Sequence, residues 1–258
     1  MLLYRLGPEG FWAAGEDGES LRVLYSDPFE TPAAAWEFGK EVDAAALHPL
    51  APVAPGKIVG IGRNYRDHAA ELGNEMPAEP LIFLKATSAL MGPREPIVLP
   101  PESADVHFEG EVALVIGATA RRASAAEAAA AIFGWSAACD VTARDLQNRD
   151  RTFARAKSFD TFCPLGPAIW VGADLEDLAV ITRVNGAERQ RGHAREMAFG
   201  IVDLLVYASR MMTLEAGDLL LTGTPAGVGP LLDGDRVEVE IPGLGVLANP
   251  VEALRGSI

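Results

Sequence analysis

The sequence predicts a mixed α/β fold that is mostly β, with peripheral helices and a small N-terminal β domain. Three observations carry that expectation. Apolar runs of strand type (KIVGIG, PLIFLK, EGEVALVIG and GDLLLTG) outnumber the two stretches of helical composition at residues 123–132 and 200–211. Val184-Asn185-Gly186 is an Asn-Gly hairpin signal, and DRVEVEIPGLGVLANP reads as a closing hairpin. Strands and helices also fail to alternate regularly, which argues against a doubly wound parallel sheet.

Taken in order, MLLYRL, GFWAA and LRVLY are short apolar pieces cut by Gly-rich turns, and they predict a small meander of strands. Pro49, Pro52, Pro55 and Gly56 then read as a linker. The expected organisation is therefore a small N-terminal domain and linker over residues 1–55 and a main domain over residues 56–258. A chain of 258 residues lies near the upper size for one hydrophobic core.

Composition narrows the function classes. Hydrophobic residues at 49% and charged residues at 22% are ordinary globular values, so the chain is expected to fold throughout. With 22 Lys+Arg against 36 Asp+Glu the net charge is −14, a surface that repels a phosphate backbone, so nucleic acid is not an expected partner. An anionic small molecule is compatible with that charge if a bound divalent cation reverses the sign locally. Cys139 and Cys163 form no CxxC pair, which indicates neither a disulfide framework nor a zinc-thiolate site. No signal-peptide pattern and no long apolar run occurs, so the expectation is a cytoplasmic protein with no membrane partner.

Several clusters are able to carry chemistry. Glu109 and Glu111 lead into the apolar run Val112–Ile116, and residues two apart on a strand share a face. Two close carboxylates in a partly buried site need a cation or a proton to relieve their repulsion. An ExE pair alone equally describes the solvent face of an edge strand. Asp140 strengthens the metal reading, because it follows the apolar run Phe133–Cys139, where an unpaired carboxylate is costly. Three oxygen ligands suit Mg²⁺, Mn²⁺ or Ca²⁺ better than zinc.

GRNYRDHAAE follows the strand-like KIVGI and reads as a strand-to-helix transition. On a helix His68 and Glu71 are neighbours, either as an acid-base dyad or as a surface ion pair. Lys85 ends an apolar strand and Lys157 sits between apolar residues; each is placed to neutralise a substrate carboxylate or to snorkel to the surface. The loop Thr222-Gly223-Thr224-Pro225-Ala226-Gly227 exposes backbone N–H groups that can hold a carboxylate, and it lacks the Lys-Ser/Thr ending of a nucleotide loop. His107 is read as a neighbour of the ligand strand, and His48 and His193 receive no role. Residues 72–80 and 143–156 hold Gly, Pro and many charges and are candidate coverings of the site.

Together, GRNYRDHAAE, PLIFLK, HFEGE, CDVTARDLQ, RAKSFDTFCPLGP, VNGAERQ and LLTGTPAGVGP resemble the fumarylacetoacetate hydrolase family from Lys57 to the C-terminus. That resemblance implies a β-sandwich roll, a homodimer, and Mg²⁺ or Mn²⁺ held by Glu109, Glu111 and Asp140. It implies a His68–Glu71 dyad as in acylpyruvate hydrolases, Lys157 as the lysine of the AKSF segment, and Thr224 on a substrate carboxylate. Lys85 and Gln147 transfer more weakly, as substrate-side residues. The implied activity is metal-dependent C–C hydrolysis of an acylpyruvate or related β-diketo acid, on a small anionic 2-oxo substrate. A dienedioate isomerase or 2-oxo acid decarboxylase of aromatic catabolism is the alternative, and a catalytically silent metal-binding protein the second.

Overall fold

The computed structural model describes residues 1–43, 48–172 and 178–254. The Gly-rich turns cut the N-terminal segment into the expected β1 (Leu2–Leu6), β2 (Phe11–Gly15) and β3 (Ser20–Leu24). A fourth strand, β4 (Phe38–Asp43), extends the meander; it is largely exposed and carries no alternation that would announce it. Next come β5 (Ile58–Gly62), α1 (Arg66–Glu71), β6 (Leu81–Lys85), β7 (Leu90–Met91), β8 (Ile97–Leu99), β9 (Val106–Phe108) and β10 (Gly110–Ile116). The middle of the chain contains α2 (Ala125–Ala130), β11 (Ile132–Cys139), β12 (Thr142–Ala143), α3 (Arg144–Arg149), α4 (Ala154–Lys157) and β13 (Cys163–Val171). The last part contains β14 (Ala179–Val184), β15 (Ala187–His193), α5 (Ile201–Met211), β16 (Leu219–Leu221), β17 (Gly229–Pro230), β18 (Arg236–Ile241) and β19 (Gly245–Ala253).

The largest sheet runs β4-β3-β2-β1-β13-β11-β10-β16-β5-β6, with β7 attached to β13. A five-stranded sheet, β15-β14-β18-β19-β8, packs its middle strands against β10, β11 and β13. A three-stranded sheet, β12-β9-β17, completes the fold. The architecture is the mostly β one expected, with several sheets and few helices. β1 pairs antiparallel with β13, so the meander is edge-to-edge continuous with the large sheet while keeping a small apolar cluster of Leu2, Tyr4, Leu6, Ala13, Leu21 and Ala168.

Residue chemistry explains the main elements. β10 is buried at every position and lies between β11 and β16, as a continuous apolar run requires when both faces are covered. Asn185 and Gly186 adopt φ of 53° and 78° between paired Val184 and Ala187, the backbone that a two-residue hairpin with right-handed twist demands. α5 buries Ile201, Leu204, Leu205 and Ala208, one stripe at helical spacing, and packs beside α2, whose N-terminus is closed by a Ser124/Glu127 capping box.

β10 runs antiparallel to both β11 and β16, and β16 runs parallel to β5. The start of β10 and the ends of β11, β16 and β5 therefore meet at one end of the sheet. β6 is four strands from β11, which at normal strand spacing is about 19 Å along a flat sheet. Lys85 of β6 nevertheless reaches Asp140, just after β11, at 2.6 Å. The sheet must be rolled, and the roll encloses the site.

Candidate active site

Glu109 sits at the break between β9 and β10, Glu111 is the second residue of β10, and Asp140 follows β11. The Asp140 backbone N–H donates to Glu109 O at 2.8 Å, and Gly110 pairs with Cys139, which fixes the two segments side by side. Oxygens from all three carboxylates lie within 4.8 Å of one another, and all three residues are buried. β10 is central, so the edge-strand reading of the ExE pair does not hold.

Three cations meet this acidic cluster. Lys157 Nζ lies 2.8 Å from Glu109 Oε2 and 2.5 Å from Asp140 Oδ2, and Lys85 Nζ lies 2.6 Å from Asp140 Oδ1. Arg144 donates to Glu109 Oε1 and, at 2.5 Å, to Gln147 Oε1. Glu111 accepts the Gly223 N–H at 2.7 Å and has no cationic partner among the described residues. The electrostatics differ accordingly. Burial raises the Glu111 pKa, and repulsion from Asp140 and Glu109 adds to it, pushing the group well above the carboxylate range. Burial works the same way on Glu109, but Lys157 and Arg144 outweigh it and hold the group well below that range. Burial opposes the charge on Lys157, yet Asp140 and Glu109 hold its pKa above the usual lysine value.

A cavity of about 380 Å³ opens over these groups. Glu109, Glu111, Asp140, Lys157, His68, Gln147 and Thr224 all line it, so seven of the nine residues singled out in the sequence converge on one space. Lys85 is not part of the lining; it braces Asp140 and also donates to Val141 O at 3.3 Å. Glu71 is likewise outside the lining, with its Oε2 3.5 Å from His68 Nδ1. His68 is buried on α1, which removes it from the surface-ion-pair reading. Burial lowers its pKa, assisted by Arg144 and opposed by Glu109 and Glu71, so the neutral imidazole is favoured.

The glycine loop after β16 does hold carboxylates, but they are the protein's own. Gly223 N–H serves Glu111, and Gly227 N–H donates to both oxygens of Glu71 at 3.0 and 3.1 Å. Gly227 has φ of +102°, and a Cβ there would lie 2.0 Å from Arg189 O, so only glycine brings this N–H to Glu71. Thr224 donates its hydroxyl to Gly110 O at 2.8 Å and accepts from Gln190 Nε2 at 2.7 Å, which joins the loop to the ligand strand.

Several site residues carried no signal that composition or spacing could isolate. Arg144 lies four positions after Asp140, but only tertiary contact shows that it pairs with Glu109. Phe83 and Phe153 stand edge-to-face at 5.8 Å and line the cavity, with Lys157 Nζ 4.9 Å from the Phe83 ring centre. Arg63 also lines the cavity, from a positive-φ position at the end of β5. Both proposed coverings contribute to the walls, Leu72 and Asn74 from one and Arg144, Gln147, Asn148 and Phe153 from the other. His107 turns away toward Asp105 at 2.8 Å. Burial pushes the free thiols of Cys139 and Cys163 up to about 12, which makes them unreactive core residues.

The chain is similar to known proteins along most of its length. A family profile described as fumarylacetoacetate (FAA) hydrolase C-terminal matches residues 57–252. Protein Rv2993c of Mycobacterium tuberculosis is 44% identical over 95% of both chains. Oxaloacetate tautomerase FAHD2A, mitochondrial, of Homo sapiens is 43% identical over 78% of this chain and 68% of its own. Among solved structures, 2-hydroxyhepta-2,4-diene-1,7-dioate isomerase from Mycobacterium marinum superposes with a TM-score of 0.88 at 40% identity, covering 99% of this chain and 100% of that one.

Proposed function

The chain belongs to the fumarylacetoacetate hydrolase family, and from that premise we propose that it is a divalent-metal-dependent enzyme acting on a small, enolisable 2-oxo carboxylate. The observation that carries the reading is the buried trio Glu109, Glu111 and Asp140 beneath a cavity that also receives His68 and Lys157.

The trio fits a hard divalent cation. Its donors are all carboxylate oxygens, they converge within 4.8 Å, and Glu111 is held in a state of repulsion that a cation would relieve. Mg²⁺, or Mn²⁺ or Ca²⁺ in its place, bound there would supply Lewis acidity to the carboxylate and 2-oxo oxygens of a substrate. Lys157, fixed between Glu109 and Asp140, holds a positive charge beside the position where an enolate develops. Lys85 and Arg144 hold the outer oxygens of Asp140 and Glu109, and so orient the carboxylates.

Neutral His68 is the base. In a C–C hydrolase acting on an acylpyruvate, it takes a proton from water as the oxygen attacks the distal carbonyl. The bond between carbons 3 and 4 then breaks, and the proton returns to carbon 3. Glu71, anchored on Gly227, stands 3.5 Å from His68 Nδ1 and would orient the imidazole once that contact tightens into a hydrogen bond. A second reading, tautomerisation or isomerisation, uses the same base to move a proton at carbon 3 without bond cleavage. It is favoured by the names of the relatives at 40–43% identity.

The test is product analysis on the Mg²⁺-loaded protein. Release of pyruvate and acetate from acetylpyruvate supports hydrolysis. Accelerated keto–enol interconversion of oxaloacetate with no pyruvate supports the second reading. Absence of both, with the metal bound, overturns the enzymatic assignment.

A further inference from the structure

The VNGAERQ segment supplies Gln190, a residue without a role in the chemistry above. It lies on β15, the edge strand of the five-stranded sheet, yet only 1% of it is exposed. A buried amide is held by its hydrogen-bond partners, and all three partners of Gln190 belong to the ligand strand or to the glycine loop.

Oε1 accepts the Gly110 N–H at 2.9 Å, and Nε2 donates to Thr224 Oγ1 at 2.7 Å and to Pro225 O at 2.8 Å. The reversed amide would set carbonyl against carbonyl and N–H against N–H, so its orientation is fixed. Thr224 directs its one hydroxyl proton to Gly110 O at 2.8 Å. A closed ring results: Gly110 N–H to Gln190, Gln190 to Thr224, and Thr224 back to Gly110 O.

Gly110 separates Glu109 from Glu111, and glycine has the widest backbone freedom of any residue. Strands hold its neighbours. On one side Asp140 N–H donates to Glu109 O; on the other β16 pairs with Ala113, Leu114 and Val115, and Thr222 gives Val112 O its N–H at 3.2 Å and its hydroxyl at 2.8 Å. The β16 ladder stops at Ala113, and at Gly110 the side chains of Gln190 and Thr224 take its place. They fix both peptide planes between the two carboxylates. The absence of a side chain at position 110 admits them, since a Cβ there would stand 1.9 Å from Thr182 Oγ1 and 3.4 Å from Gln190 Oε1. The ring also registers the loop, because Gly223 N–H, next to Thr224, reaches Glu111 Oε2 at 2.7 Å. Carboxylates that bind a cation depend on such supporting hydrogen bonds for their orientation.

We propose that Gln190 is a positioning residue for the metal site: through this ring it holds the Glu109–Glu111 backbone at the spacing that a divalent cation requires and locks the Gly223–Thr224 loop onto it. The inference rests on the metal reading and adds a residue that acts on the cation only through Gly110 and Thr224.

The experiment measures Mn²⁺ affinity by calorimetry and the urea midpoint of the metal-free protein. Wild type is compared with Gln190→Met, Thr224→Val, their double variant and Thr224→Ser. Asn249→Leu is the control, because Asn249 is equally buried, donates to Gly92 O and Glu95 O, and lies outside the cavity lining. Gln190→Met should weaken Mn²⁺ binding about 10- to 100-fold. The double variant should lose little more than the larger single loss, since both changes break one ring. Asn249→Leu should lower the urea midpoint and leave Mn²⁺ affinity unchanged. If Gln190→Met does not fold, Thr224→Val breaks the same ring from the other side, and Thr224→Ser, which keeps the hydroxyl, should restore the affinity. Unchanged Mn²⁺ affinity in Gln190→Met and Thr224→Val, or an equal loss in Asn249→Leu, overturns the role of Gln190 and leaves the metal reading standing. A ring-dependent affinity without turnover of any 2-oxo acid supports Gln190 and sinks the enzymatic reading. If wild type binds no Mn²⁺, both fail.

Discussion

Replacing Glu111 by glutamine should stabilise the metal-free protein and abolish its response to metal. Glu111 is buried with two other carboxylates and accepts one backbone N–H, and the glutamine carbonyl can still accept it. At the 4.8 Å that bounds these oxygens, an effective dielectric of about 20 gives about 3.5 kcal/mol of repulsion per ionised pair. Proton uptake by Glu111 and attraction to Lys157 offset part of this, leaving an expected gain of about 1–3 kcal/mol for the variant at pH 8. For a chain of this size that is about 2–12 °C in Tm. The wild type should instead gain about 2.7 kcal/mol when Mg²⁺ stands a hundredfold above its Kd, a rise of about 5–11 °C. Melting both proteins in EDTA and in Mg²⁺ should therefore raise the wild type alone, closing or reversing the gap between them. The folded pKa of Glu111 is raised, so its contribution to stability is full below the ordinary carboxylate value and is lost as pH rises through the higher folded one. The EDTA gap should widen from pH 5 to pH 8. A variant that is destabilised by more than about 1 kcal/mol in EDTA would refute the argument, because Glu111 would then be a needed structural partner.

Three further outcomes follow from the same geometry. His68 has a depressed folded pKa, so its neutral form contributes stability that is full above the ordinary histidine value and is lost as pH falls through the folded one; the urea midpoint of wild type relative to His68→Gln should fall from pH 8 to pH 5, and turnover by the variant should drop about 10²- to 10⁴-fold. Arg144→Met strips the arginine from buried Glu109, which should cost about 3–5 kcal/mol in denaturant unfolding; a loss under about 1 kcal/mol would show that the pair is not formed in solution. Gly227→Ala strains a φ of +102° and drives a Cβ against Arg189 O, so it should displace the N–H that holds Glu71 and lower kcat; unchanged kinetics would remove Glu71 from the proton-transfer machinery.

The strands that carry the site were readable because burial on both faces leaves a plain signature. VALVI in β10 and LLL in β16 are unbroken apolar runs, and the carboxylates stand at the ends of such runs, where the cost of burial demands a partner. The Asn185-Gly186 hairpin was equally plain, since one turn geometry requires that pair. β4 was not readable, because an exposed edge strand imposes no alternation. Nor were Arg63, Arg144, Phe83 and Phe153, which meet only after a rolled sheet brings the end of β5, the interior of β6 and the helices α3 and α4 to one cavity. The glycine loop was legible as a carboxylate holder but not in its object: spacing shows donors, and only the fold shows that Glu71 and Glu111 take them. Lys85 illustrates the same limit, since a lysine at a strand end has the same local sequence whether it faces substrate or braces Asp140.

The most direct measurement of the central claim is anomalous diffraction from crystals soaked in Mn²⁺. The account predicts one strong peak within coordination distance of carboxylate oxygens from Glu109, Glu111 and Asp140, and its loss in Glu111→Gln. A peak bound elsewhere, or none in crystals whose cavity is open to solvent, would contradict it.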